Sequence, residues 1–154
     1  MGYRNSASFG KRIEFYFWNL MIKDGLECYV PLVDNKGIDL LVRKPNDEFI
    51  KVQIKARSDD VKEGSAAQFS AIKHEFRENY YFVFYSERLD VFLIMSSEEY
   101  LKECITLKST GRHNIWFSGR RTNKETGKVE EFIKPRFEKY VERDFSRFKA
   151  LVEQ

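Results

Sequence analysis

From residue 5 to 24, Phe9, Ile13, Phe17, Leu20 and Met21 recur at the spacing of one helix face. Ser6 or Ser8 is placed to cap this helix, and Gly25 follows Asp24 where a left-handed closing residue is wanted. Aromatic residues crowd positions 15–18 and give the helix a second apolar face, suited to contact with another subunit.

From Glu27 the period changes to two. Cys28–Val33 reads as a strand, Asp34-Asn35-Lys36-Gly37 as a turn, and Ile38–Arg43 as the next strand. Lys44-Pro45-Asn46-Asp47 reverses the chain again, since Pro45 has no N–H to give a ladder. Phe49–Arg57 is the third strand, with Phe49, Lys51, Gln53 and Lys55 on one face and Ile50, Val52, Ile54 and Ala56 on the other. These three strands form an antiparallel meander.

Gly64–Glu78 reads as a loop and then a helix from Ser65 or Ser70. Tyr80–Tyr85 and Asp90–Met95 are strands about a Ser86-Glu87-Arg88 turn, and Ser96 or Ser97 caps a short helix through Cys104 with Glu98 or Glu99 in a capping box. Asn123–Gly127 looks like a hairpin tip, and Phe137, Tyr140, Val141, Phe145, Phe148 and Leu151 are spaced to pack a last helix over 136–152. The fold class is α/β, bordering on α+β: a mixed sheet containing the meander, with helices on both faces. No repeat or linker divides residues 1–154, which read as one domain.

Composition narrows the function classes. Lys and Arg number 27 against 24 Asp and Glu, which excludes a histone-like protein while leaving room for a local basic patch. The two cysteines, Cys28 and Cys104, and the two histidines, His74 and His113, fall in no zinc spacing. No signal peptide or membrane-spanning run is evident, so a reduced, cytoplasmic protein is expected.

The chemistry concentrates in Gly37-Ile38-Asp39 and Gln53-Ile54-Lys55. A reversal centred on residues 45 and 46 sets Asp39 beside residues 52–54, so Asp39, Gln53 and Lys55 share one small area of sheet. Asp39 offers a carboxylate oxygen, Gln53 an amide oxygen and Ile54 a backbone carbonyl, a hard shell suited to Mg²⁺. Lys55 adds a point charge for a phosphate oxygen or an attacking water. Phosphodiester hydrolysis calls for these parts.

The ordered set Glu14, Asp39 and Gln53-Ile54-Lys55 resembles the PD-(D/E)XK nuclease superfamily, which includes restriction enzymes, Holliday-junction resolvases and some homing endonucleases. The resemblance covers roughly residues 5–95 and implies a restriction endonuclease-like core. Two departures are Ile38 where proline often stands and Gln53 in place of the second carboxylate; the Gln-x-Lys form is similar to a minority that includes intron homing endonucleases. The resemblance implies a metal-dependent DNA endonuclease leaving 5′-phosphate ends, with Glu14, Asp39, Gln53 and Lys55 catalytic. Mg²⁺, replaceable by Mn²⁺, would be held by Asp39, Gln53, the Ile54 carbonyl and Glu14, directly or through water. Gln68 would face the site.

Lys51 and Arg57 are placed as phosphate contacts. The run 108–128 holds Lys108, Arg112, Arg120, Arg121, Lys124 and Lys128 against Glu125 alone. There Arg112, Arg120, Arg121 and Lys124 are read as phosphate contacts, and His113 and Asn114, near Trp116, as base contacts. The expected partner is DNA, duplex or branched, met by a homodimer or homotetramer. Two other readings remain: an inactive nucleic-acid-binding module on the same fold, and an oligomeric interaction protein that binds no nucleic acid.

Overall fold

Ile13, Phe17 and Met21 are buried along α1 (Tyr3–Lys23), with Phe9 and Leu20 packed beside them. The computed structural model describes residues 3–33 and 36–154. Asp34 and Asn35, of the turn expected at 34–37, lie outside the described residues. The helix begins before Ser6 and Ser8, so neither caps it. Its end is as expected. Gly25 adopts φ +94°, its N–H bonds the Ile22 carbonyl, and the Leu26 N–H reaches back to Met21, both at 3.0 Å. This closure satisfies the last carbonyls and turns Leu26 into the core.

β1 (Cys28–Tyr29), β2 (Leu40–Arg43) and β3 (Phe49–Arg57) form the antiparallel meander. β1 is shorter than the expected 28–33 strand: its pairing with β2 ends at Tyr29 opposite Leu41, and Leu32 and Val33 are exposed. β3 alternates as predicted: Ile50, Val52 and Ile54 are buried under α1, while Lys51, Gln53 and Lys55 emerge on the other face.

No helix forms over 64–78. β4 (Gln68–Ile72) runs there instead, antiparallel to β8 (His113–Trp116), far along the chain. A bulge between Phe69 and Ile72, with Ala71 at φ 58°, returns both large side chains to the core. The pairing that decides this segment is non-local, so the local pattern misled.

β5 (Tyr80–Ser86) lies parallel to β3, and β6 (Val91–Ser96) antiparallel to β5. α2 (Ser97–Glu103) is closed by the expected capping box, Ser96 with Glu99. β7 (Ile105–Thr106) joins β8 and β4 in a small second sheet, and β9 (Ser118–Thr122) with β10 (Val129–Ile133) makes the hairpin.

The expected helix at 136–152 is broken into a 3-10 turn (Pro135–Tyr140), β11 (Val141–Glu142) and α3 (Ser146–Val152). The reason is visible in the packing. Phe137 and Tyr140 enter the core on one face of the main sheet, and Phe145 and Phe148 the core on the other. The chain crosses the sheet edge between them as β11, paired with β6. One straight helix cannot serve both faces.

The main sheet has the order β1-β2-β3-β5-β6-β11, with β3–β5 its parallel pair. α1 and α3 cover one face; the small sheet, α2 and the 3-10 turn cover the other. The fold is thus mixed α/β, a mixed sheet flanked by helices. Among the described residues no helix is long and apolar enough to cross a membrane.

Candidate functional site

The site begins where the β2–β3 ladder ends. The Asp39 N–H bonds the Val52 carbonyl at 2.9 Å, and Asp39 Oδ2 accepts the Ile54 N–H at 2.7 Å. The carboxylate takes the next main-chain donor of β3 after β2 has supplied its last. Charge assistance strengthens this bond. The register, Leu40 opposite Val52, sets Asp39 across from Gln53 on one face of the sheet, as the turn arithmetic predicts.

α1 supplies the opposite wall. Ser6, Gly10 and Glu14 recur every fourth residue and line the same cavity of about 550 Å³ as Asp39, Gln53, Ile54, Lys55 and Arg57. Gly10 has nothing within 4 Å of where a Cβ would lie. A glycine inside a helix costs roughly 0.5–1 kcal/mol against alanine, and here its bare backbone leaves space beside Glu14. The Glu14 side chain is 14% exposed and pairs with Lys11 at 3.2 Å. Glu14, Asp39, Gln53 and Lys55, distant in sequence, therefore share one cavity.

Gln53 is held by Tyr80. The Tyr80 hydroxyl lies within hydrogen-bond reach of the Gly37 carbonyl and, at 2.8 Å, of the Gln53 amide. One phenolic proton serves one acceptor. The Gln53 atom that faces the phenol is Oε1, so Tyr80 donates its proton to the Gly37 carbonyl or to this amide oxygen. Gly37, at φ +67°, is in the left-handed region and tightly hemmed: a Cβ would stand 3.1 Å from the Tyr80 oxygen. Burial pushes the Tyr80 hydroxyl pKa up, so it stays protonated.

Arg57 lines the cavity with its Nε buried and without a hydrogen-bond partner. Burial, and then the neighbouring Arg88 charge, push its pKa down from the ordinary guanidinium value. An unsatisfied cationic donor in a cavity suits an anionic ligand. The loop after β3, whose Ser58, Asp60 and Val61 also line the cavity, is pinned by Arg88. That guanidinium bonds the Asp59 and Val61 carbonyls and pairs with Glu131, which also accepts the Gly64 and Ala66 N–H groups at 3.1 and 3.2 Å.

Among the described residues, no group of three or more His, Cys, Asp or Glu is arranged to hold a metal ion. The side-chain oxygen donors that share the cavity are three carboxylates, Glu14, Asp39 and, on the loop after β3, Asp60, with the Gln53 amide and the Ser6 and Ser58 hydroxyls; Ile54 adds its backbone. This hard set is compatible with Mg²⁺ that keeps several waters.

Other residues singled out from the sequence lie elsewhere. Lys51 reaches the Glu78 carbonyl at 3.4 Å and does not line the cavity. Gln68 opens β4 rather than a helix, and its side chain is engaged by Ser65 at 3.0 Å. His113 is buried with both ring nitrogens bonded, to Thr106 and to the His74 carbonyl. Asn114 Oδ1 accepts the Ala71 N–H at 2.8 Å, satisfying the β4 bulge. Arg120 lies against Gly64, Arg121 pairs with Glu130 and stacks on Phe132, and Lys124 is exposed at the hairpin tip. Arg112 bonds the Ala71 carbonyl at 3.2 Å. Tyr80 and Gly10 were missed. Nothing local distinguishes Tyr80 within an aromatic strand, whereas the four-residue spacing of Ser6, Gly10 and Glu14 was there to be read.

No family model matches the chain, and no curated protein matches it. Among solved structures it is similar to a bacterial homing endonuclease, I-Ssp6803I, with a TM-score of 0.56 and 18% identity. The match covers 94% of this chain and 90% of that one. This distant likeness shows the fold: a restriction endonuclease-like core.

Proposed function

We propose that this chain is a metal-dependent DNA endonuclease that hydrolyses phosphodiester bonds and leaves 5′-phosphate ends. The observation that carries the reading is the shared cavity of Glu14, Asp39, Gln53 and Lys55 within a restriction endonuclease-like fold. Asp39, Gln53, the Ile54 carbonyl and Glu14, directly or through water, would hold Mg²⁺, or Mn²⁺ in its place. The bound cation supplies Lewis acidity toward a phosphoryl oxygen and lowers the pKa of water. Lys55 orients the attacking water or compensates the charge that grows on the phosphate. Arg57, which lines the cavity, offers its guanidinium charge to a phosphate oxygen. Water attacks phosphorus, the P–O3′ bond breaks, and the departing oxygen takes a proton to become a 3′-hydroxyl.

Two antiparallel strands are cut most simply by two symmetry-related subunits, so the working form is a homodimer or homotetramer. Phe15, Tyr16 and Ile22, exposed on α1, support such a contact. The two free thiols, Cys28 and Cys104, accord with a reduced cytoplasmic setting. The second reading, a silent DNA-binding module, is favoured by one observation: Gln53 gives the site one negative charge fewer. End analysis separates the two. Cleaved DNA whose products are rejoined by ligase without kinase treatment carries 5′-phosphate ends; bound but intact DNA supports the silent module.

A further inference from the structure

A second cavity, of about 810 Å³, shares Gln53 with the first and is lined by Lys36, Lys73, Arg77 and Arg112. Glu75 is the one carboxylate among its lining residues. The cations are not neutralised there: among the described residues none of the four makes an ion pair. Arg77 is braced instead by the Lys36 carbonyl at 2.6 Å and by the Tyr80 ring at 4.5 Å, and Arg112 by the Ala71 carbonyl. Carbonyl bracing orients a guanidinium while leaving its charge intact. His74, on the same wall, is pushed down to about 4, first by burial and then by Arg77, so it is neutral at physiological pH. Phe76, 59% exposed, adds an open aromatic face.

A phosphate-bearing polymer with flat apolar bases has the chemistry this surface is built for: fixed positive charge, one bare aromatic ring, and no carboxylate partner for the cations. The position of Gln53 between the two cavities gives the direction. We infer that the nucleic-acid strand running past the scissile phosphate crosses Gln53 into this cleft, its backbone held by Lys36, Lys73, Arg77 and Arg112 and one base or sugar lying on Phe76. The inference rests on the nuclease reading and adds to it the path of the substrate. That path runs over the face carrying Tyr80, separate from the β9–β10 hairpin where the sequence locates much of the basic charge.

The test is DNA binding in EDTA, which stops metal-dependent cleavage, followed as a function of salt. Lys36→Ala/Lys73→Ala removes two exposed side chains for which the structure records no hydrogen bond or ion pair. It is compared with Lys23→Ala/Lys102→Ala, which removes the same charge elsewhere. The cleft variant is expected to bind at least roughly tenfold more weakly at 0.1 M salt and to lose about 1.8 from the log–log salt slope, with the control near wild type. Phe76→Ala is expected to weaken binding while leaving the slope unchanged. Equal slopes for the cleft variant and the control overturn the inference, as does a wild type that binds no DNA. Cleavage by wild type in Mg²⁺, scored separately, decides the nuclease reading: a protein that cuts with an unaltered cleft slope keeps the activity and loses the path. One that binds through the cleft without cutting keeps the path and loses the activity.

Discussion

Asp39 Oδ2 accepts the main-chain N–H of Ile54 at 2.7 Å, so one carboxylate both terminates the β2–β3 ladder and faces the cavity that holds Lys55. The two duties separate by substitution. Asp39→Asn keeps an oxygen for Ile54 and removes the charge; Asp39→Ala removes both. The asparagine variant is expected within about 1 kcal/mol of wild-type stability and the alanine variant lower by about 1–3 kcal/mol, through the unsatisfied Ile54 donor. Both are expected to lose cleavage. Urea unfolding beside a cleavage assay checks this, and equal stability of the two variants contradicts it.

Tyr80 holds Gln53 through its hydroxyl. Tyr80→Phe keeps the ring that packs against Phe82 and His74 but removes the hydroxyl that orients the amide. It is expected to raise the Mg²⁺ concentration for half-maximal cleavage several-fold while leaving DNA affinity in EDTA unchanged. Gln53→Glu is expected to lower that concentration, since a carboxylate restores the missing charge. A Tyr80→Phe enzyme with wild-type metal dependence removes the positioning role.

His74 sits with Nε2 2.7 Å from the Ser97 hydroxyl and its ring against Tyr80. Burial, then Arg77 and His113, bring its pKa from 6.5 down to about 4. The unfolded chain therefore binds a proton below pH 6.5 that the folded chain refuses until about pH 4. The stability tied to this residue is present above that window and is lost as pH falls through it. The urea midpoint of wild type is expected to fall more steeply there than that of His74→Gln; parallel curves contradict the assignment.

Glu131 is the hub that fixes the cavity loop to the hairpin. Its side chain is 9% exposed and pairs with Arg88 while accepting two backbone N–H groups. Glu131→Ala leaves Arg88 and both amides without their acceptor and is expected to cost about 3 kcal/mol. Thermal unfolding measures it, and a change below about 1 kcal/mol shows that water replaces the contact.

The meander and the convergence of Asp39 on β3 were legible because a turn with Pro45 fixes the register and β3 alternates without a break. The capping box at Ser96 and Glu99 was legible because all its parts lie within four residues. β4 was missed because its partner strand is far along the chain and its alternation is interrupted by the bulge that Asn114 satisfies. The last helix was overextended because Phe137 to Phe148 has helical spacing, yet the two ends of that run belong to opposite faces of the sheet. Tyr80 escaped notice because it meets Gln53 diagonally across the parallel β3–β5 pair. The intramolecular bonds of His113 and Asn114 were not legible for a complementary reason: their partners, His74 and Ala71, lie far along the chain.

The nuclease reading is tested most directly by nicking of supercoiled DNA in Mg²⁺, in EDTA, and in Mg²⁺ with Lys55→Ala. Among the described residues the Lys55 side chain makes no hydrogen bond or ion pair, so its loss is expected to leave the fold and DNA affinity intact. Nicking by wild type that requires the metal and falls at least roughly 100-fold in Lys55→Ala is the predicted result. Equal nicking by the variant, or bound DNA left uncut by wild type in both Mg²⁺ and Mn²⁺, contradicts it.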